Sequence, residues 1–175
     1  MCKSFLLCLL FTVSVLFAGE NGVHNVSFSY GFFNLTGGSI VAGNAIASSF
    51  GADDQQEDVN LLSLSSFNVA YGYELWEKFE TGGILTYSYT GSGFNYHSVT
   101  FMPKAKLNWI YKSDFRFYSL LAVGPAIHFN SEKFEAVVLW QASLVGFEFG
   151  SDTSFFVELG VGQVGGLVAG VKFEL

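Results

Sequence analysis

The chain has 175 residues, of which 20 are Phe, 8 Tyr, 3 Trp and 20 Gly but only 2 Pro, and its formal net charge is −7 at pH 7. This length suits one domain, and the acidic balance argues against a nucleic-acid-binding protein, which needs clustered Lys and Arg. Aromatic and Gly residues at this density favour many strands joined by tight turns over helices.

The first residues, MCKSFLLCLLFTVSVLFAGENG, predict a secretory signal peptide over residues 1–19. Lys3 precedes a continuous apolar stretch over residues 5–17, and the small residues Ala18 and Gly19 follow that stretch. The stretch is shorter than the roughly 20 residues of a membrane helix. We therefore expect cleavage after Ala18 or Gly19.

Residues 20–175 are predicted to form one mature domain without thiol chemistry. Both cysteines, Cys2 and Cys8, lie in the predicted leader. Neither a disulfide nor a thiolate metal site is therefore expected. Removal of Lys3 with the leader changes the formal net charge from −7 to −8.

Four strands are predicted in the first half of the mature domain, at VHNVSFSYGFFN, SSFNVAYGYELW, TGGILTYSYTG and SVTFMPKAKLNWIYK. In these segments apolar and polar or small residues tend to alternate, which is the period of a strand with one apolar face. In the second strand, for example, Phe67, Val69 and Tyr71 oppose Ser66 and Asn68. Each strand therefore has two faces of different chemistry.

Four further strands are predicted in the second half, at FRFYSLLAVG, in AVVLWQASLVGFEFG and in the C-terminal FFVELGVGQVGGLVAGVKFEL, which contains two. The fifth strand places Phe115 and Phe117 opposite Arg116, and the last places Phe173 opposite Lys172. The first half of the sixth strand is ambiguous, because residues 137–140 are all apolar.

The predicted connections tend to alternate between long and short. The long ones are a Gly-, Ser- and acid-rich loop over about residues 35–59, SGFNYH and PAIHFNSEKFE, and the short ones are EKFE, KSD and SDTS. Only the last hairpin, through Val164 and Gly165, departs from this trend. About eight strands connected in this way indicate an up-and-down antiparallel architecture.

The apolar face carries more aromatic volume than the interior of one small barrel can hold. It includes Tyr71, Tyr73, Tyr87, Tyr89, Trp109, Phe117 and Phe147. The opposite face carries Ser, Gly, Asn and charges of both signs. A solvent-exposed surface would normally contain more Lys and Glu. We therefore predict an all-β fold: a closed antiparallel up-and-down transmembrane β-barrel of about eight strands with a polar interior.

The charged residues on the face opposite the apolar one are predicted to pair with one another inside the barrel and to have a structural role. The network comprises Glu74, Lys104, Lys106, Arg116, Glu148, Glu158, Lys172 and Glu174. Such a barrel has an interior just wide enough for its own side chains. Buried charges persist when they are paired, so we expect these residues to fill the lumen, with an ion or proton path as the alternative.

Aromatic residues also gather at the predicted strand ends, as the two interfaces of a bilayer favour. One predicted girdle contains Trp76, Phe79, Trp109, Tyr111 and Phe115, and the opposite one contains Tyr30, Phe32, Tyr89 and Phe94.

With these features the chain resembles the small outer-membrane β-barrel proteins of Gram-negative bacteria, of the Bacteroidetes type. The resemblance covers the mature chain and is clearest in FFVELGVGQVGGLVAGVKFEL and LNWIYKSDFRFYSLLAVG. It implies an outer-membrane location, contacts with outer-membrane lipid and lipopolysaccharide, and a final strand that the barrel-assembly machinery reads during insertion. The chain ends on Leu175 where such barrels commonly end on an aromatic residue, and Phe173 is expected to substitute for it.

Three groups of residues suggest chemistry, and in each case the simpler interpretation is preferred. His24, His97 and His128 lack the short spacing of a metal site. The acidic run with Asp53, Asp54, Glu57 and Asp58 lacks the Gly and spacing of a calcium loop.

HFNSEKFE places His128 near Ser131, with Glu132 or Glu135 beside them. This segment resembles the site of small barrels that deacylate lipid A, but the spacing differs by one residue.

The expected function is therefore non-enzymatic, a structural or surface-interaction role in the cell envelope through the outer loops. We expect no catalytic residue, metal or cofactor, a monomer, and no nucleic-acid partner. Two alternatives are a lipid A-modifying enzyme that uses His128 and Ser131, and a secreted lipocalin-like barrel with an apolar cavity.

Overall fold

The computed structural model describes residues 22–34, 65–90, 96–130 and 133–175. The predicted leader, the whole of the predicted 35–59 loop with its acidic run, and Phe94, Ser131 and Glu132 lie outside these ranges. The strands are β1 (Val23–Phe32), β2 (Ser65–Trp76), β3 (Phe79–Thr90), β4 (Tyr96–Tyr111), β5 (Phe115–Asn130), β6 (Lys133–Gly150), β7 (Thr153–Gly162) and β8 (Leu167–Glu174). Within the described ranges, no helix is long and apolar enough to cross a membrane.

The eight strands form a closed barrel in which each strand pairs antiparallel with its neighbours along the chain. The closing seam joins the first strand to the last, from Asn25 opposite Glu174 to Phe32 opposite Leu167. The fold-class prediction of an all-β, closed, eight-stranded, up-and-down antiparallel barrel is therefore confirmed. Closure lets neighbouring strands satisfy each other's backbone groups around the ring.

The connections divide the barrel into two ends. At the short-turn end, residues 77–78, 112–114 and 151–152 join consecutive strands, and Gly22 and Leu175 lie at the same end. At the opposite end, here called the loop end, β1, β3, β5 and β7 end and the strands that follow them begin, and residues 163–166 join β7 to β8. Odd-numbered strands run from the short-turn end to the loop end, and even-numbered strands return.

The two faces of the strands separate as the alternation predicts. Large apolar side chains on the outer face are exposed, among them Leu121 at 64% and Phe155 at 65%. Side chains on the inner face are buried even when they are polar, such as Glu148 at 0%. The barrel is thus apolar outside and polar inside, the inverse of a water-soluble protein.

Two predicted connections are largely taken up by strands. EKFE was expected to turn the chain, but only residues 77–78 do so, and Glu80 already lies inside β3 opposite Lys106. PAIHFNSEKFE was expected to be a loop, but β5 continues to Asn130 and β6 begins at Lys133. Charged and Pro residues concealed the alternation here, although the backbone pairs through the segment, with His128 opposite Glu135.

Two aromatic residues also differ from what the alternation predicts, one in its face and one in its exposure. Tyr111 was placed on the outer face, but a register shift between Asn108 and Ile110 turns it toward the interior. A β-bulge of this kind adds one residue to one strand and inverts the alternation beyond it. Tyr73 does lie on the outer face, yet it is only 6% exposed, because it packs against the ring of His24 at 4.9 Å between centroids.

Inside the barrel, Gly146 makes room for a ring from the adjacent strand. Tyr118 lies opposite Gly146 and is 2% exposed. A Cβ atom at position 146 would lie 2.4 Å from Cε2 of Tyr118. The aromatic ring therefore occupies the space that any other residue at this position would need.

We predict that Gly146→Ala lowers the free energy of unfolding by about 1–3 kcal/mol, the usual cost of overpacking. Gly166→Ala is the matched control, because a Cβ there would meet its nearest neighbour at 3.5 Å. Urea titration of the two variants refolded into lipid vesicles measures the difference. Equal midpoints would show that Tyr118 can move away without loss.

Candidate functional site

The lumen at the short-turn end contains a layer of charged side chains, here called the ionic layer. It consists of Glu74, Glu80, Lys104, Lys106, Arg116, Glu148, Lys172 and Glu174, from strands β2, β3, β4, β5, β6 and β8. All except Glu174 are buried, at most 7% exposed. The layer holds four carboxylates and four cations, so its formal charge is zero.

Glu148 is the centre of the ionic layer. Its Oε1 accepts from Arg116 Nη1 at 2.5 Å and pairs with Lys172 Nζ at 2.5 Å, while its Oε2 accepts from Lys106 Nζ at 2.8 Å. Ser154 Oγ donates to Oε1 at 3.0 Å. One carboxylate from β6 thus connects cations on β4, β5 and β8.

Glu80 is the second connecting carboxylate, and the sequence prediction omitted it. Its Oε1 accepts from Lys104 Nζ at 2.6 Å, and its Oε2 lies 3.5 Å from Lys106 Nζ. Lys106 therefore links Glu80 to Glu148. Continuing the period-two pattern of β3 backward from Ile84 through Gly82 would have placed Glu80 on the inner face.

Arg116 connects the layer to the rim of the short-turn end. Its Nη2 donates to Glu174 Oε1 at 2.7 Å, and its Nη1 lies 3.5 Å from Glu74 Oε1. The phenol of Tyr111, turned inward by the bulge, donates to Glu74 Oε2 at 3.3 Å. The side chain of Glu174 is 20% exposed, so the layer meets solvent at this rim.

The remaining predicted network residue, Glu158, lies beside the layer and is held by neutral donors. Tyr118 Oη donates to Glu158 Oε1 at 2.8 Å, and Ser143 Oγ donates to Oε2 at 2.5 Å. The ring of Tyr118 in turn lies 3.9 Å from Lys106 Nζ, a cation–π contact. Tyr118 therefore links Glu158 to the ionic layer through both its hydroxyl and its ring.

The loop end of the lumen is closed by the β7–β8 connection, which the sequence prediction treated as an ordinary hairpin. Here called the inward loop, residues 163–166 fold into the barrel, and Gln163 and Val164 are 0% and 3% exposed. Gln141 Oε1 accepts from Val164 N at 2.9 Å, and its Nε2 donates to Gly165 O at 3.0 Å. Gln163 Nε2 donates to Ser88 Oγ at 3.0 Å.

The three histidines lie on different parts of the barrel. His24 and His97 are on the outer face, where their Nδ1 atoms are 2.6 Å and 2.9 Å from Tyr71 Oη and Tyr87 Oη. His128 lies on the inner face near the loop end, opposite Ser98 and Glu135 in register. No group of three or more metal-binding residues occurs in the described part of the chain.

Comparison with known proteins bears on the fold. No protein-family model and no curated protein matches the chain. Among solved structures, the N-terminal β-barrel domain of Pseudomonas aeruginosa OprF is similar, with a TM-score of 0.43 and 14% sequence identity over 90% of this chain and 99% of that one. The predicted Bacteroidetes type stays a prediction.

The arrangement of the ionic layer predicts a large effect of removing its central charge. Glu148→Gln would leave Lys106, Arg116 and Lys172 with one fewer buried counter-ion. We expect the free energy of unfolding to fall by about 3–5 kcal/mol, as when one partner of a buried ion pair is removed.

The control for this experiment is Glu77→Gln at the exposed short turn. This substitution removes the same charge without opening a buried pair, so a change within about 0.5 kcal/mol is expected. Urea unfolding of both variants in lipid vesicles is the measurement. If Glu148→Gln behaved like Glu77→Gln, the layer would not depend on its central carboxylate.

Proposed function

We propose that the chain is a non-enzymatic integral β-barrel protein of the outer membrane. The observation that carries this proposal is the sidedness of the barrel. Exposed aromatic and aliphatic side chains occupy the outer face of all eight strands, including Phe28, Phe67, Leu85, Phe101, Leu121, Leu144, Val157 and Phe173. Eight charged side chains of the strands are buried inside the barrel instead, namely Glu74, Glu80, Lys104, Lys106, Arg116, Glu148, Glu158 and Lys172. A lipid environment stabilises this arrangement, whereas water opposes it.

The aromatic residues at the two ends support a bilayer as the surrounding solvent. At the short-turn end, the rings of Trp76 and Phe79 stack at 5.3 Å, and Trp109 is 60% exposed. At the loop end, Tyr30 contacts Phe67 edge-on at 4.8 Å. Amphipathic rings favour the interfaces of a membrane, so two such bands match its two surfaces.

The lipocalin-like alternative is less well supported because of what fills the lumen. A lipocalin-like binder needs an apolar cavity inside and a polar outside. In the described part of this barrel the ionic layer occupies one end of the lumen and the inward loop closes the other. The apolar core between them is a set of packed side chains that includes Ile84, Met102 and Leu120.

We infer a role in envelope structure or in surface contacts made by the connections of the loop end. In this proposal the loop end faces outward and the short-turn end faces the periplasm, as in outer-membrane barrels. Outer-membrane lipid and lipopolysaccharide are then the partners of the apolar outer face. The assembly machinery would read β8 during insertion, and the working form would be a monomer.

The lipid A-modifying alternative predicts a dependence on His128. We expect His128→Ala to leave the lipid A acylation pattern of expressing cells unchanged, because Ser98 Oγ, opposite His128 in register, is buried and makes no hydrogen bond to the imidazole within the described ranges. Mass spectrometry of extracted lipid A measures the pattern. A change on expression of the wild-type chain that His128→Ala abolishes would establish the enzyme instead.

The membrane proposal predicts a strong effect of a cation on the outer face. Leu121 lies in the middle of β5, so Leu121→Arg should cost about 2–4 kcal/mol of barrel stability in a bilayer. The control is Ser113→Arg, which places the same cation in the exposed turn at the membrane surface. Gel migration with and without boiling measures the folded fraction after refolding into vesicles.

The wild-type chain should require detergent for extraction and should migrate differently when boiled. A barrel that fractionates with soluble proteins, or that tolerates Leu121→Arg as well as Ser113→Arg, would contradict the membrane location.

A further inference from the structure

Four neighbouring buried oxygen atoms toward the loop end of β2, β3 and β4 have no hydrogen-bond partner among the residues that the structure describes. They are Asn68 Oδ1, Thr86 Oγ1, Ser98 Oγ and Thr100 Oγ1. Their residues are 3%, 0%, 1% and 0% exposed. They belong neither to the ionic layer nor to the bonds that hold the inward loop.

The strand register places these four side chains together. Asn68 lies directly opposite Thr86, and Thr86 directly opposite Thr100. Ser98 is two residues from Thr100 on the same face of β4 and opposite Ser88. Side chains that are directly opposite have Cβ atoms about 4.5–5.5 Å apart, so the oxygens form one polar cluster.

The cluster lies between two closed parts of the lumen. Toward the loop end, Ser88 receives the hydrogen bond from Gln163 of the inward loop. Toward the short-turn end, the next opposed pair on the same face is Ile84 and Met102, which are 4% and 0% exposed. The cluster is therefore bordered by polar side chains toward the loop end and by apolar side chains toward the short-turn end.

The chemistry of the cluster selects its ligand. Three hydroxyls both donate and accept, and the fourth group offers an amide oxygen. No carboxylate belongs to this set, as a divalent cation would require. Buried polar groups are almost always hydrogen-bonded, often to internal water molecules that make two to four bonds each. We propose that Asn68, Thr86, Ser98 and Thr100 form an internal site that binds a cluster of ordered water molecules beneath the inward loop.

The double variant Thr86→Val/Thr100→Val tests this site, because each substitution removes a hydroxyl while keeping the shape of the side chain. If the site binds water, the variant loses hydrogen-bonded water, and the oxygens of Asn68 and Ser98 lose the partners that this water supplied. The urea midpoint should then fall below that of the wild type. If the two hydroxyls bound no water, their removal would leave the urea midpoint unchanged or raise it. Either result would overturn the proposal.

Thr153→Val is the matched control, since Thr153 is exposed at the start of β7 and reports the effect of Val in a strand alone. Its midpoint should match that of the wild type. Boiled and unboiled gel migration verifies that each variant has formed the barrel before the midpoints are compared.

A second measurement uses the wild-type barrel in detergent micelles and does not depend on a variant folding. Long-lived internal water should give dipolar cross-relaxation between the water signal and the methyl groups of Thr86 and Thr100. The exposed methyl group of Thr153 should show no such long-lived contact. Absence of the signal at both buried threonines would overturn the proposal, even if the double variant were less stable.

Discussion

Closure of the sheet on itself is the constraint on which the other features depend. A ring of eight strands sets a lumen only as wide as the inward side chains that fill it. Every second residue of each strand must therefore suit a shared interior, and the residues between must suit whatever surrounds the barrel. The ionic layer, the apolar packing around Met102 and the inward loop are three successive ways in which one narrow space is filled.

The ionic layer fills its part of the lumen with charged side chains. Burying a charge costs free energy unless the charge is paired. Glu148 connects cations from three strands, and Glu80 joins Lys104 to Lys106, so most of the charges have more than one partner. The same contacts also favour one strand register over the alternatives. A slip of one residue would move Lys104 and Lys106 to the outer face, where an apolar solvent would oppose them. We infer that the layer contributes more to a unique register than to net stability.

The alternation of side chains was enough to predict the closed barrel and its sidedness, because both follow from a period of two. It was not enough where the period breaks or is concealed. Tyr111 faces inward because a bulge adds one residue to β4, and a bulge leaves no clear mark in composition. Glu80 was missed because the charges around residue 78 resemble a turn. The inward loop is held by Gln141 of β6 and also by Ser66 and Ser88 of β2 and β3, which are distant in sequence and which only the folded barrel brings together.

The seam between β1 and β8 has a consequence for biogenesis. Asn25 and Glu174 are 149 positions apart, from 174 minus 25, and they sit side by side in the finished ring. Contacts of such high sequence separation form slowly, because a long stretch of chain must be ordered first. Until the last strand arrives, the nascent sheet presents two open edges that can pair with other chains. We infer that the pairing of β1 with β8 is among the last steps of folding, and that this step removes both exposed edges at once.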